Sequence, residues 1–168
     1  TVMVADGAYR LRSDNPVTRM LYLTLGTSDL LPPGGTTAER AERMVRDWLK
    51  EKGIDDAGLV LDNGSGLSRK ERIRPATLAA VLREARASPW FPEYLSALPI
   101  AGVDGGVRKR LDKSPAARKS RLKTGTLRDT SALAGYVVDS GGTPLVFVAM
   151  INHPKATGSV ARPILDEL

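Results

Sequence analysis

The sequence predicts an α+β domain whose helices come first and whose antiparallel strands come last. Apolar residues recur at helical spacing behind capping signals as far as residue 98, and from Leu122 they gather instead into three short runs. A chain of 168 residues suits one ordinary domain, and no linker, repeat or low-complexity tract divides it.

After Ser13, Pro16 is tolerated in a first helical turn, and Val17, Met20, Leu21 and Leu25 follow as the buried face of a helix ending at Gly26. Pro32-Pro33-Gly34-Gly35 make a loop. Thr36 with Glu39 forms a capping box ahead of Ala38, Ala41, Met44, Val45, Trp48 and Leu49, a helix expected to end near Gly53. Gly58 to Leu61 reads as a short strand leading into the turn Asn63-Gly64-Ser65-Gly66. Pro75 opens a helix through Leu78, Val81 and Leu82, and Trp90 to Leu98 suggests another; Trp48 and Trp90 are expected to pack into the core. Leu122 to Leu127, Ala132 to Val138 and Leu145 to Ile151 read as strands, the last two joined by Asp139-Ser140-Gly141-Gly142, and a helix from Gly158 to Leu168 should cover one face. Three strands offer few neighbours for so many apolar residues, which implies that the sheet is incomplete.

Composition narrows the chemistry. With 42% hydrophobic and 26% charged residues the chain is neither disordered nor membrane-embedded, and no apolar run reaches the roughly 20 residues of a bilayer span. The opening residues lack the regions of a signal peptide. Without cysteine, and with one histidine, thiolate nucleophiles and disulfides drop out and zinc sites are nearly excluded, and nothing else in the sequence implies a metal or cofactor. The formal charge of +6 is concentrated: Arg108 to Lys123 holds eight basic residues and only Asp112 opposing them. Such a segment attracts anions. It contains no aromatic residue to stack a base, which argues against nucleic acid.

Two triplets carry the chemistry. Ser13-Asp14-Asn15 opens the first helix, and Lys123-Thr124-Gly125 lies on the first strand of the meander. Either alone is a helix cap or an ordinary strand. Together, in this order and on these elements, they resemble two of the three active-site motifs of penicillin-binding proteins and class A β-lactamases. A Ser-His-Asp hydrolase built on His153 with Ser65 or Ser68 lacks a nucleophile elbow, and the turn at Asp62 to Arg69, which Arg69 is expected to tie down, lacks the pattern of a phosphate loop.

With Ser13–Gly26, Leu59–Arg69, Lys123–Leu127, Ser131–Val138 and Asn152-His153-Pro154, the chain resembles the closing part of the class C, low-molecular-mass penicillin-binding proteins. These are D-alanyl-D-alanine carboxypeptidases and endopeptidases of the bacterial envelope. The resemblance implies the penicillin-recognising serine DD-peptidase fold, with residues 1–168 as the C-terminal part of one catalytic domain. It implies a periplasmic or extracytoplasmic setting, peptidoglycan stem peptides as substrates and β-lactams as acylating ligands. Catalytic roles would fall to Ser13, relaying a proton to the leaving amine, to Asn15, holding the substrate amide and the lysine of the nucleophile motif, and to Lys123. Thr124, its hydroxyl beside Lys123, would bind the terminal carboxylate. The N–H of Thr126 would form one arm of the oxyanion hole, and Gly125 would leave room for substrate along the strand edge.

The nucleophile departs from this pattern. Attacking serine and lysine belong one helical turn apart, whereas the S-x-x-K string Ser120-Arg121-Leu122-Lys123 runs into a strand and shares its lysine with the other motif. It is read as coincidence. The nucleophile is then expected from an N-terminal part of the same enzyme; the alternative is a non-catalytic module, derived from this fold, that binds peptidoglycan or protein. Arg110→Ala, outside the triplets, is expected to leave turnover of a small D-Ala-D-Ala peptide nearly unchanged.

Overall fold

A computed structural model describes residues 2–5 and 11–167, with side chains from Ser13 onward. The expected end of the last helix at Leu168 lies outside the described residues. Two short strands, β1 (Val2–Ala5) and β2 (Leu11–Asp14), pair with each other. The backbone then gathers into two compact units, Ser13–Val81 and Leu82–Leu168.

The first unit contains α1 (Asn15–Leu25), α2 (Thr37–Glu51) and the start of α3 (Pro75–Ala87). The capping box starts α2 as the sequence predicts: Glu39 N–H donates to Thr36 Oγ1, and Thr36 N–H donates to Glu39 Oε2 at 2.6 Å. These bonds hold the Glu39 carboxyl below its usual range. Gly26 allows the end of α1 to meet the start of α2, since a Cβ there would overlap Thr37 O. Arg40 fastens the loop between the two helices by donating to the carbonyls of Gly26, Ser28 and Pro32 at 2.6–2.8 Å.

Three expectations fail here. Helix α1 buries none of its residues, and Met20 is 68% exposed, because nothing in its own unit covers that apolar face. Trp48 and Trp90 are 38% and 71% exposed rather than in the core. The strand expected at Gly58–Leu61 shrinks to one antiparallel bridge, Val60 with Arg72, because the glycine turn that follows ends the pairing.

The second unit is built on an antiparallel sheet ordered β3 (Arg121–Leu127), β4 (Thr130–Val138), β5 (Pro144–Asn152). Lys123 pairs with Ala134, Thr124 with Leu133 and Thr126 with Ser131. One face carries Leu122, Leu133, Phe147 and Ala149, which form the core with Leu165 of α5 (Gly158–Leu165) and with Ala101, Val107 and Leu111. On the other face Tyr136 meets Phe91 and Tyr94 of α4 (Phe91–Ser96) edge to face, and its hydroxyl donates to Leu82 O at 2.7 Å. Burial and Tyr94 push the Tyr136 phenol up to about 12. Tyr136→Phe should therefore cost about 0.5–1.5 kcal/mol in a urea melt, because it removes a buried hydrogen bond; an unchanged midpoint would show that the bond adds no net stability.

Candidate active site

Ser13 and Asn15 belong to the first unit, and Lys123 with its neighbours belongs to the second. Ser13 is the exposed third residue of β2, one step earlier than a helix opening requires. Asp14 is the N-cap of α1, its Oδ1 accepting from Val17 N–H at 2.8 Å. Asn15, the first helical residue, donates from Nδ2 to Ser65 O at 2.6 Å. That bond uses the amide's donor end and leaves Oδ1 as an acceptor, suited to an ammonium or a substrate N–H.

The Ser65 turn is held as a unit. Gly64 N–H donates to Glu71 Oε1 at 3.1 Å, Ser65 N–H to Asn63 Oδ1 at 2.9 Å, and Arg19 to Asn63 O at 3.1 Å. Gly64, at φ 67°, lies where any side chain would overlap the Tyr22 ring, so the turn is pressed against α1. Glu71 anchors the turn by accepting from the N–H groups of Asn63 and Gly64. Sequence reasoning missed Glu71, whose only signal was a carboxylate just beyond a glycine turn.

Strand β3 is an edge of its sheet. Leu122 N–H points outward, donating to Pro99 O at 2.8 Å. The two-residue period then turns the N–H groups of Thr124 and Thr126 toward the same open edge. Side chains alternate by the same rule. Lys123 and Gly125 lie on the Ala132–Ala134 side, and Thr124 and Thr126 on the Leu133 side. The expected placement of the Thr124 hydroxyl directly beside Lys123 is thus corrected: the two flank the edge from opposite faces.

Lys123 donates from Nζ to Thr124 O at 2.5 Å and has no carboxylate partner among the described residues. Burial lowers its pKa. At Gly125 a Cβ would meet only Ala132 Cβ, at an ordinary 3.5 Å, so the chain itself does not require glycine there. Gly106 is different, because a Cβ would overlap Thr124 Oγ1. Its close approach holds the Thr124 hydroxyl in place, a contact no local pattern announced.

Ser120 is fully buried just before β3, and its Oγ has no hydrogen-bond partner. An attacking oxygen must be reached by substrate, and Ser120 Oγ is closed off from solvent. Among the described residues there is no acidic or histidine cluster able to hold a metal ion, and no helix long and apolar enough to cross a membrane.

Residues 9–168 match the D-Ala-D-Ala carboxypeptidase 3 (S13) family. The chain is 35% identical over 130 residues to the D-alanyl-D-alanine carboxypeptidase of Actinomadura sp. (strain R39), an overlap covering 74% of this chain and 24% of that protein. It is 31% identical over 147 residues to D-alanyl-D-alanine carboxypeptidase DacB of Haemophilus influenzae, covering 84% and 29%. The structure of penicillin-binding protein 4 from H. influenzae, complexed with a β-lactam, superposes with a TM-score of 0.75 at 28% identity, over 88% of this chain and 34% of that one. A predatory endopeptidase from Bdellovibrio bacteriovorus, at 21% identity and a TM-score of 0.70, shares the fold. The chain spans about a quarter of the length of the curated relatives it matches. With its α+β architecture and its two motif triplets, the chain belongs to the D-Ala-D-Ala carboxypeptidase 3 (S13) family.

Proposed function

We propose that this chain is the C-terminal part of the catalytic domain of a serine-type D-Ala-D-Ala peptidase of the bacterial cell envelope. The observation that carries the reading is the Lys123-Thr124-Gly125-Thr126 stretch on a sheet edge, whose outward N–H groups have no backbone partner among the described residues and can pair with an extended peptide. The substrate is a peptidoglycan stem peptide ending in D-Ala-D-Ala, or the corresponding cross-link. β-Lactams, which imitate that dipeptide, acylate the same enzyme. The nucleophilic serine comes from a segment of the enzyme outside Thr1–Leu168. That segment also covers the exposed apolar residues Met20 and Leu21 of α1 and Val160 and Ile164 of α5.

In this reading Ser13, Asn15 and Lys123 act on the same bound peptide. The nucleophile adds to the carbonyl of the penultimate D-Ala, and the Thr126 N–H stabilises the oxyanion. The attacking serine loses its proton to the lysine of its own motif. As the C–N bond breaks, that lysine returns the proton to Ser13 while the Ser13 hydroxyl passes its own to the leaving nitrogen, with the Lys123 ammonium polarising that hydroxyl. Thr124 Oγ1 donates to the terminal carboxylate, and Asn15 Oδ1 accepts from the nucleophile's lysine or the substrate amide. Water then hydrolyses the acyl-enzyme.

The complete enzyme should release D-alanine from an acyl-D-Ala-D-Ala peptide, and an enzyme that releases none would overturn the assignment. Gly125→Ala supplies a sharper check. Because the fold tolerates the methyl, the unfolding midpoint should move by less than about 0.5 kcal/mol. Crowding of the substrate edge should lower kcat/KM about ten- to a hundredfold. Full activity would mean that substrate does not lie along this edge.

A further inference from the structure

The basic segment is not a uniformly solvated loop. Arg108, Lys109 and Arg110, beside the 3-10 turn Gly105–Val107, line an open cavity of about 580 Å³ with Thr124 and Thr126 of β3 and Arg162 and Asp166 at the end of α5. Within it Arg110 is spoken for. Its Nε and Nη2 hold the Asp166 carboxylate at 2.7–3.1 Å, and that ion pair consumes the cavity's one acidic group. Arg108, Lys109 and Arg162 remain, all exposed and without a carboxylate partner among the described residues. The Arg162 guanidinium lies over Gly158, 3.4 Å from where a Cβ would stand. The wall that joins this cationic cavity to the sheet edge is Thr124 and Thr126.

We propose that Arg108, Lys109 and Arg162 form a leaving-strand subsite, which receives free carboxylates of the peptide on the departing side of the scissile bond. The proposal rests on the functional reading above, which assigns the terminal carboxylate to Thr124. A departing D-alanine has only a methyl group beyond that carboxylate and fills none of this space. The departing strand of a cross-link continues past it and carries further carboxylates, opposite in charge to the three unpaired cations. The subsite favours acidic, cross-link-like leaving groups over D-alanine, and so favours endopeptidase over carboxypeptidase substrates.

The test compares two diacetyl-lysyl peptides in the complete enzyme, one ending D-Ala-D-Glu and one D-Ala-D-Gln. They are equal in size and differ by one charge. Three exposed cations acting together should favour the D-Glu peptide in kcat/KM by about tenfold at low salt. The preference should fade by 0.5 M salt, where the Debye length falls to roughly 4 Å. In the triple variant Arg108→Gln, Lys109→Gln, Arg162→Gln the ratio should drop to near one, and in Arg162→Gln alone it should drop part way. Lys113→Gln, exposed in the same basic segment but outside the cavity, should leave it unchanged. Because the ratio is internal, it is insensitive to any loss of active protein. A wild-type ratio near one, or a ratio the groove variants do not change, overturns the subsite. Hydrolysis of D-Ala-D-Ala by the same wild-type sample separates the two readings: if it is present the subsite alone has failed, and if it is absent the functional reading fails and takes the subsite with it.

Discussion

Lys123→Ala in the complete enzyme should lower kcat/KM on a small D-Ala-D-Ala peptide by about ten- to a few hundredfold, with kcat falling as well as KM rising. The ammonium acts at both ends of the proposed reaction, polarising the Ser13 hydroxyl and adding positive potential near the substrate carboxylate. A charge-assisted contact contributes about 1.5–3 kcal/mol, and about 1.4 kcal/mol is a tenfold change in rate. Steady-state kinetics separate the two effects, since loss of substrate binding alone would raise KM and leave kcat intact.

The same lysine should weaken the fold. It is partly buried without an opposing carboxylate among the described residues, and burial lowers its pKa below the ordinary 10.5. Between the folded and unfolded values the unfolded chain binds more protons, so stability rises with pH through that window and is lost as pH falls through the folded value. Lys123→Met should therefore raise Tm at pH 7 and flatten the rise toward pH 10. A lower Tm would mean that the bond from Nζ to Thr124 O outweighs the cost of burying the charge.

Gly135→Ala should give the largest loss of stability, about 2–5 kcal/mol by urea unfolding. Gly135 is buried in β4 opposite Leu122, at φ 147°. A Cβ there would overlap Arg121 O and stand 3.1 Å from the Leu122 Cα, so β3 must move away from its partner or the backbone must twist. Because β3 carries Lys123, Thr124 and Thr126, activity should fall with stability. Gly125, ten residues earlier and on the edge strand facing β4, meets no such obstacle. The contrast between the two alanine variants separates a glycine the fold demands from one that substrate demands.

The local rules that succeeded act over a few residues. Thr36 and Glu39 satisfy each other within one turn, and the hairpin at Asp139 closes through its own carboxylate, which accepts from Thr143 N–H at 2.8 Å. The Lys-Thr-Gly strand was legible because residues 121–127 carry no helical spacing and sit among apolar runs. The failures came from partners distant in sequence. Helical spacing correctly gave α1 an apolar face, but what covers such a face is not written in the helix. Arg110 looked like one more solvated cation, and it proves to be bound by Asp166, 56 residues away and largely buried with it. Its removal should cost stability, so Lys113 replaces it as the neutral comparison. Gly106 was invisible for the same reason, since only the fold brings its backbone against the Thr124 side chain.

Covalent labelling by a fluorescent penicillin, followed by mass localisation of the adduct, reaches the central claim most directly. The complete enzyme should form a stoichiometric adduct on a serine outside Thr1–Leu168, and this chain alone should form none, because Ser120, the one serine placed three residues before a lysine, is fully buried. An adduct on Ser120, or a complete enzyme that takes up no penicillin, would contradict the account.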